Sequence, residues 1–235
     1  MNRMNVFKHV VLLSSLLVLL FVFFLSMEEL ETLFSNFGKR YFLENGLEET
    51  GSRNLVTGIL LDYRLFDSLF EAGILLIAVS GVLWISKHDI DERNAKFMLD
   101  KYKTPDLFVT LSRLVYPLMI AFGFYVVING HLSPGGGFQG GAIIATAILI
   151  LYYIDEDKET DIPLLATIEK TVYLAILAVA SISVVTRGEW FTNFMASDAS
   201  MTSRSIYLVL LNMLVGVKVA LGLWTIFTAF LKEGR

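Results

Sequence analysis

The chain has 235 residues, 55% of them hydrophobic and 18% charged, with a mean hydropathy of +0.63. That balance excludes an ordinary soluble domain, which needs far more polar surface, and the net charge of -4, split over short loops, gives no ground for a nucleic-acid partner. The absence of cysteine excludes disulfides, thiolate nucleophiles and cysteine-ligated iron–sulfur clusters.

Unbroken apolar runs such as Leu12 to Leu25 fit a bilayer, whose hydrocarbon core takes about 20 apolar residues of helix. The runs lack the inside–outside alternation of barrel strands, so the expected fold is all-α, a polytopic integral membrane protein of about six transmembrane helices. The first helix is expected from Val6 to Leu25. It ends in Leu25-Ser26-Met27-Glu28 rather than a small-x-small cleavage site, so a retained anchor fits better than a secretory signal. Phe34, Phe37, Tyr41 and Phe42, at near-helical spacing, fit a surface helix or an ordered loop with aromatics at headgroup level.

Further helices are expected at Phe66 to Ile85, Leu107 to Asn129, Phe138 to Ile154, Thr167 to Thr186 and Ile206 to Phe230. The charged stretch from Lys87 to Thr104, closed by Pro105, divides a two-helix part, residues 1–103, from a four-helix part, residues 104–235. With the N-terminus inside, eleven Lys and Arg fall in inner segments against six in outer ones, which predicts that both termini are cytoplasmic; the expected location is the cell membrane. Trp84 and the Tyr152-Tyr153 pair read as an aromatic belt, and Arg113 and Glu169 as interfacial anchors near helix ends.

Three clusters carry chemistry. The stretch from Gly130 to Gly141 contains G-x-G-x-x-G at Gly135, Gly137 and Gly140, but membrane helices flank it, so a nucleotide site is rejected. Pro134, Gly135 and Gly136 suit a tight hairpin, after which Gly137, Gly141 and Ala145 form a small-residue track for close helix packing beside Gly140. His131 sits at the hairpin's mouth, either donating to a loop carbonyl or accepting protons near an aqueous opening.

Lys218 lies mid-helix between Gly216 and Ala220, two small residues that would admit another helix. A charge at bilayer depth costs roughly 3 kcal/mol or more, so Lys218 requires a partner, either structural or as part of an ion relay. In the third cluster Arg64, Asp67 and Glu71 share a helix face if Arg64 onward is helical. Glu71 would then either carry protons as an isolated intramembrane carboxylate or pair with Arg64. A direct Glu71–Lys218 pair would have to bridge roughly 10 Å of depth at the helical rise. His9, His88 and His131 are scattered, so neither a metal site nor a cofactor is expected, and no nucleophile–base arrangement suggests an enzyme.

The stretch from Thr104-Pro105-Asp106 through the Gly130–Gly141 loop, with Gly216-Val217-Lys218-Val219, resembles the MnhB component of Mrp-type multisubunit sodium/proton antiporters, over about Thr104 to Leu231. Asn54 to Leu83 resembles the C-terminal end of the large first component of the same antiporters. It equally resembles a small component of membrane-bound hydrogenases and related ferredoxin-driven complexes, with Ser68 and Phe70 departing from the pattern. The resemblance implies a non-catalytic component of an assembly exchanging sodium ions and protons, with other membrane subunits and the bilayer as partners. Both segments in one chain point toward a respiratory host complex. Two readings stay open: Lys218, Glu71, His131 and Asp67 lie on an ion path, or the chain is a scaffold that docks neighbouring subunits.

Overall fold

A computed structural model of the protein describes residues 13–25, 37–86, 105–154, 161–188, 190, 195 and 199–233. The chain divides into two units, residues 1–44 and 45–235. In the first, α1 (Leu13–Leu25) is a short apolar helix, and Phe37 and Tyr41 stack at 6.4 Å on α2 (Phe37–Thr50), which runs on into the second unit. Of the surface helix and the ordered loop, the described part of this stretch is helical from Phe37 onward, while Phe34 and the residues preceding Leu13 lie outside the described residues.

The second unit continues with α3 (Leu55–Gly58), one turn of π-helix (Ile59–Tyr63) and α4 (Leu65–Ser86). Then come α5 (Asp106–Ile128), α6 (Gly137–Ile154), α7 (Ile162–Arg187) and α8 (Met201–Glu233). Five helices, α4 to α8, are long and apolar enough to span a membrane, and no strand occurs among the described residues. The protein is an all-α, multi-pass membrane protein. The expected join at Lys87–Thr104 lies outside the described residues.

Local chemistry sets the helix ends. Asn54 caps α3, its Oδ1 accepting from the Val56 N–H at 3.2 Å. Asp67 sits in the first turn of α4, where the helix dipole favours an acid. Asp161 Oδ1 accepts from the Leu164 N–H at 3.0 Å and Pro163 stands in the first turn, so α7 starts at Ile162 rather than at the expected Thr167. Its other end is closed by Gly188, whose φ of 72° is open to glycine at little steric cost.

The centre of the unit is α8, against which α4, α6 and α7 pack and which α5 also touches. The small-residue track does what its spacing predicts. A methyl group at Gly141 would lie 2.6 Å from the Gly216 carbonyl oxygen, so α6 and α8 meet backbone to backbone, and Ala145 is fully buried. The helix that approaches Gly216 is thus one of this chain's own. A second core, including Leu65, Leu69, Ile176, Leu208 and Leu211, joins α4, α7 and α8. Tyr152 corrects the aromatic-belt expectation: only 6% exposed, it packs edge-on against Trp224 at 5.4 Å, whereas Tyr153 faces outward. Adjacent helical residues differ in direction by a little over a quarter turn, so the pair cannot serve one surface.

Candidate functional site

Two neighbouring features concentrate the polar groups of the helical bundle. The first is an ion pair. Lys218, near the middle of α8, places Nζ 3.0 Å from Glu169 Oε1 of α7, with both side chains completely buried. The same ammonium donates to the Ala72 carbonyl of α4 at 2.6 Å and lies 5.8 Å from the centre of the Tyr173 ring. Three helices therefore converge on one cation.

This corrects the reading of Glu169 as an interfacial anchor. Because α7 begins at Ile162, Glu169 stands two turns inside the helix rather than at its tip, and turns inward. The partner that the charge on Lys218 requires is thus supplied within this chain, by Glu169. Arg113, by contrast, is exposed on α5.

The second feature is a cavity of about 90 Å³ lined by Glu71 and Ser68 of α4, Thr57, Gln139 and Asn212, with Gly136 and its neighbours in the hairpin. It sits beside a break in the helix. Arg64, with φ -128° and ψ 43°, separates the π-turn from α4, and its N–H reaches back to the Ile59 carbonyl at 2.7 Å. Ser68 Oγ donates to the Leu60 carbonyl at 2.7 Å, satisfying a group that the break leaves without a continuous helical ladder. Broken helices and π-turns recur where membrane proteins handle ions.

Glu71 does not pair with Arg64. Arg64 holds Asp67 at 2.6 Å, so this local pair takes Asp67 and leaves Glu71 on the cavity wall. The Glu71 side chain is exposed in the isolated chain.

The glycine hairpin is held by residues remote in sequence. Asn54 Nδ2 donates to the Gly130 carbonyl at 2.8 Å and to the Ser133 carbonyl at 3.0 Å, and Thr57 Oγ1 donates to Gly130 at 2.7 Å. Ser52 Oγ and the Asn54 N–H both donate to the His131 carbonyl. Gly135 and Gly136 take φ values of 149° and 148°, which side chains rarely adopt, confirming the tight turn beyond Pro134. His131 Nδ1 lies 3.2 Å from the Ile128 carbonyl, to which it donates. From α8, Asn212 Oδ1 accepts from the Gly137 N–H at 2.9 Å, which satisfies one of the four free donors at the start of α6.

Sequence reasoning missed Glu169, Asn54 and Asn212 as site-forming residues. The capping preference of Asn54 was a usable signal, as was the rarity of acids within a long apolar helix for Glu169.

An all-helical, multi-pass membrane subunit with a buried lysine–glutamate pair and a glycine hairpin folded over its central helix is the class that this architecture defines. Residues 107–225 match the family described as a domain related to the MnhB subunit of Na+/H+ antiporter, and the chain belongs to that family. An uncharacterised protein of Methanocaldococcus jannaschii is 36% identical over 112 residues, covering 41% of this chain and 42% of that protein. A Staphylococcus aureus protein named for antiporter subunit mnhB2 is 44% identical over 43 residues, covering 18% of this chain and 30% of that protein. The chain thus spans less than half the length of these curated relatives.

Among solved structures, a chain of the membrane-bound sulfane sulfur reductase, an archaeal respiratory membrane complex, is similar with a TM-score of 0.67 and 27% identity, over 93% of this chain and 98% of that one. A chain of the Mrp complex from Dietzia sp. is similar with a TM-score of 0.59 and 21% identity, over 91% of this chain and 25% of that one, a likeness of fold.

Proposed function

We propose that the chain is a translocation subunit of a multisubunit sodium/proton antiporter module in the cell membrane, with both termini cytoplasmic and other membrane subunits around it. Glu71 and Lys218 are its principal ion-handling groups, with Asp67 beside Glu71 and His131 at the mouth of the hairpin. The observation that carries this reading is the cavity at the helix break, whose wall combines the Glu71 carboxylate, not taken by Arg64, with Ser68, Gln139 and Asn212. An acidic side chain on the polar wall of such a space, in an otherwise apolar spanning helix, is the placement that marks an ion path.

A respiratory host complex is the favoured setting. The similar chain of the sulfane sulfur reductase is matched along nearly its whole length, whereas the similar Mrp chain is matched over only a quarter of its own. The chain that shares this organisation over nearly its whole length therefore belongs to a respiratory membrane complex.

The test is Glu71→Gln in the assembled complex, scored for sodium-dependent proton movement in vesicles beside a native gel. Loss of exchange with assembly intact is expected. Unchanged exchange would refute the translocation reading, and loss of assembly alone would favour the scaffold reading. A reporter fused after Arg235 that is reached only from outside would reverse the orientation.

A further inference from the structure

The buried pair is incompletely satisfied in one specific respect. Glu169 Oε2 is fully buried and has no hydrogen-bond donor among the described residues, and Oε1 has only the Lys218 ammonium at 3.0 Å. A carboxylate sealed in the interior normally gathers several donors, because one counter-ion does not replace the water that it lost. The ammonium itself touches two hard oxygens, Glu169 Oε1 at 3.0 Å and the Ala72 carbonyl at 2.6 Å. Carboxylate and backbone carbonyl oxygens are the ligands that suit alkali cations in membrane helices.

We propose that Glu169 is a cation-binding carboxylate and that Lys218 is its displaceable resident: sodium takes the place beside Glu169 and the Ala72 carbonyl while Lys218 gives up one proton. This rests on the sodium/proton reading above and names the site at which the two ions would compete. The step balances. Before it, the enclosed site holds one carboxylate and one ammonium; after it, one carboxylate, one sodium ion and a neutral amine. The Nζ–H bond breaks with its electron pair left on nitrogen, and the proton passes to water.

The physical reason for a one-for-one exchange is charge. A dry interior with a single carboxylate cannot hold sodium and an ammonium together, because the second cation would be uncompensated. The surroundings provide no other balancing group among the described residues. From α7 the ammonium meets Glu169 and the Tyr173 ring, and from α4 the Ala72 carbonyl. Helices α6 and α5 meet this part of α8 through Gly141 and Val127, neither of them ionisable.

The test uses the purified, assembled complex and sodium chloride against choline chloride, with proton release followed by a pH dye and carboxylate bands by infrared difference spectroscopy. Wild type should release protons on sodium addition and show a perturbed carboxylate band that Glu169→Gln removes. Lys218→Arg keeps a cation in the pair but replaces it with a group that does not deprotonate in proteins, so sodium-linked proton release should be lost. A purely structural role predicts that Arg preserves it.

If the larger side chain prevents assembly, the neutral double variant Glu169→Gln/Lys218→Met takes its place and should likewise assemble and lose the release. Wild-type release in either assembled variant overturns the proposal, as does a sodium-induced carboxylate band that survives Glu169→Gln. If exchange is lost in Glu71→Gln but unchanged in the Glu169 and Lys218 variants, this proposal falls and the translocation reading stands. If it is unchanged in all of them, both fall.

Discussion

Asn54 and Gly130, 76 positions apart in the chain, are joined by a 2.8 Å hydrogen bond from the asparagine amide to the glycine carbonyl. The same side chain caps α3 through its oxygen, so one residue both starts the helical turn preceding the break and fastens the hairpin to it. The segment before the helix break and the glycine hairpin are therefore stitched together beside the cavity.

Asn54→Ala should lower stability by about 1–3 kcal/mol, since it removes a cap and leaves the Gly130 and Ser133 carbonyls short of a donor. Asn54→Asp keeps the capping oxygen but sets a carboxylate oxygen against the Gly130 and Ser133 carbonyls, so it should be at least as labile as Ala. Thermal unfolding in detergent, with protease sensitivity of residues 130–137, measures both. An Asp variant as stable as wild type would mean that the bonds to the hairpin contribute nothing.

Removing one member of the buried pair should be far worse than removing both charges. Lys218→Met leaves Glu169 buried without its counter-ion and should cost roughly 3–5 kcal/mol, whereas Glu169→Gln/Lys218→Met should recover most of that loss. Native-gel yields of assembled complex rank the three proteins. A double variant that assembles as poorly as the single one would show that packing of the lysine stem, and not its charge, holds α4, α7 and α8 together.

Gly141→Ala places a methyl group 2.6 Å from the Gly216 carbonyl oxygen and 2.9 Å from Val219 Cβ, both in a rigid helix. Separation of α6 from α8 should cost about 1–3 kcal/mol, typical of overpacking. Gly81→Ala, with nothing within 4 Å of the added carbon, should be neutral or stabilise α4 by up to about 1 kcal/mol. Equal behaviour of the two variants in thermal unfolding would contradict the packing described.

Tyr152→Leu removes an edge-on contact with the buried Trp224 and should cost about 0.5–1.5 kcal/mol beyond the lost area, whereas Tyr153→Leu acts on an exposed ring and should cost less. Tryptophan emission should shift in the first variant and not in the second. The reverse pattern would restore both tyrosines to the membrane interface.

Composition and run length determined the class of fold, because a helix that crosses lipid must be long, apolar and internally hydrogen-bonded, and each of these properties is readable along the chain. The Gly137, Gly141, Ala145 spacing likewise announced a close helix contact, since a helical period of 3.6 residues fixes which residues share a face. Helix starts were less legible: α7 began earlier than its apolar run because a cap, Asp161, and Pro163 carried the boundary.

What sequence could not decide was which polar groups meet. The charge on Lys218 announced that a partner must exist, but Glu169, Ala72 and Tyr173 reach it from two other helices, and no local spacing encodes that convergence. The Arg64–Asp67 pair, at i and i+3, is a contact that local spacing did allow, whereas the helix break at Arg64 is seen only in the folded chain. Covalent order fixes the periods of single helices, while the rotation and depth of each helix are settled by packing against the others.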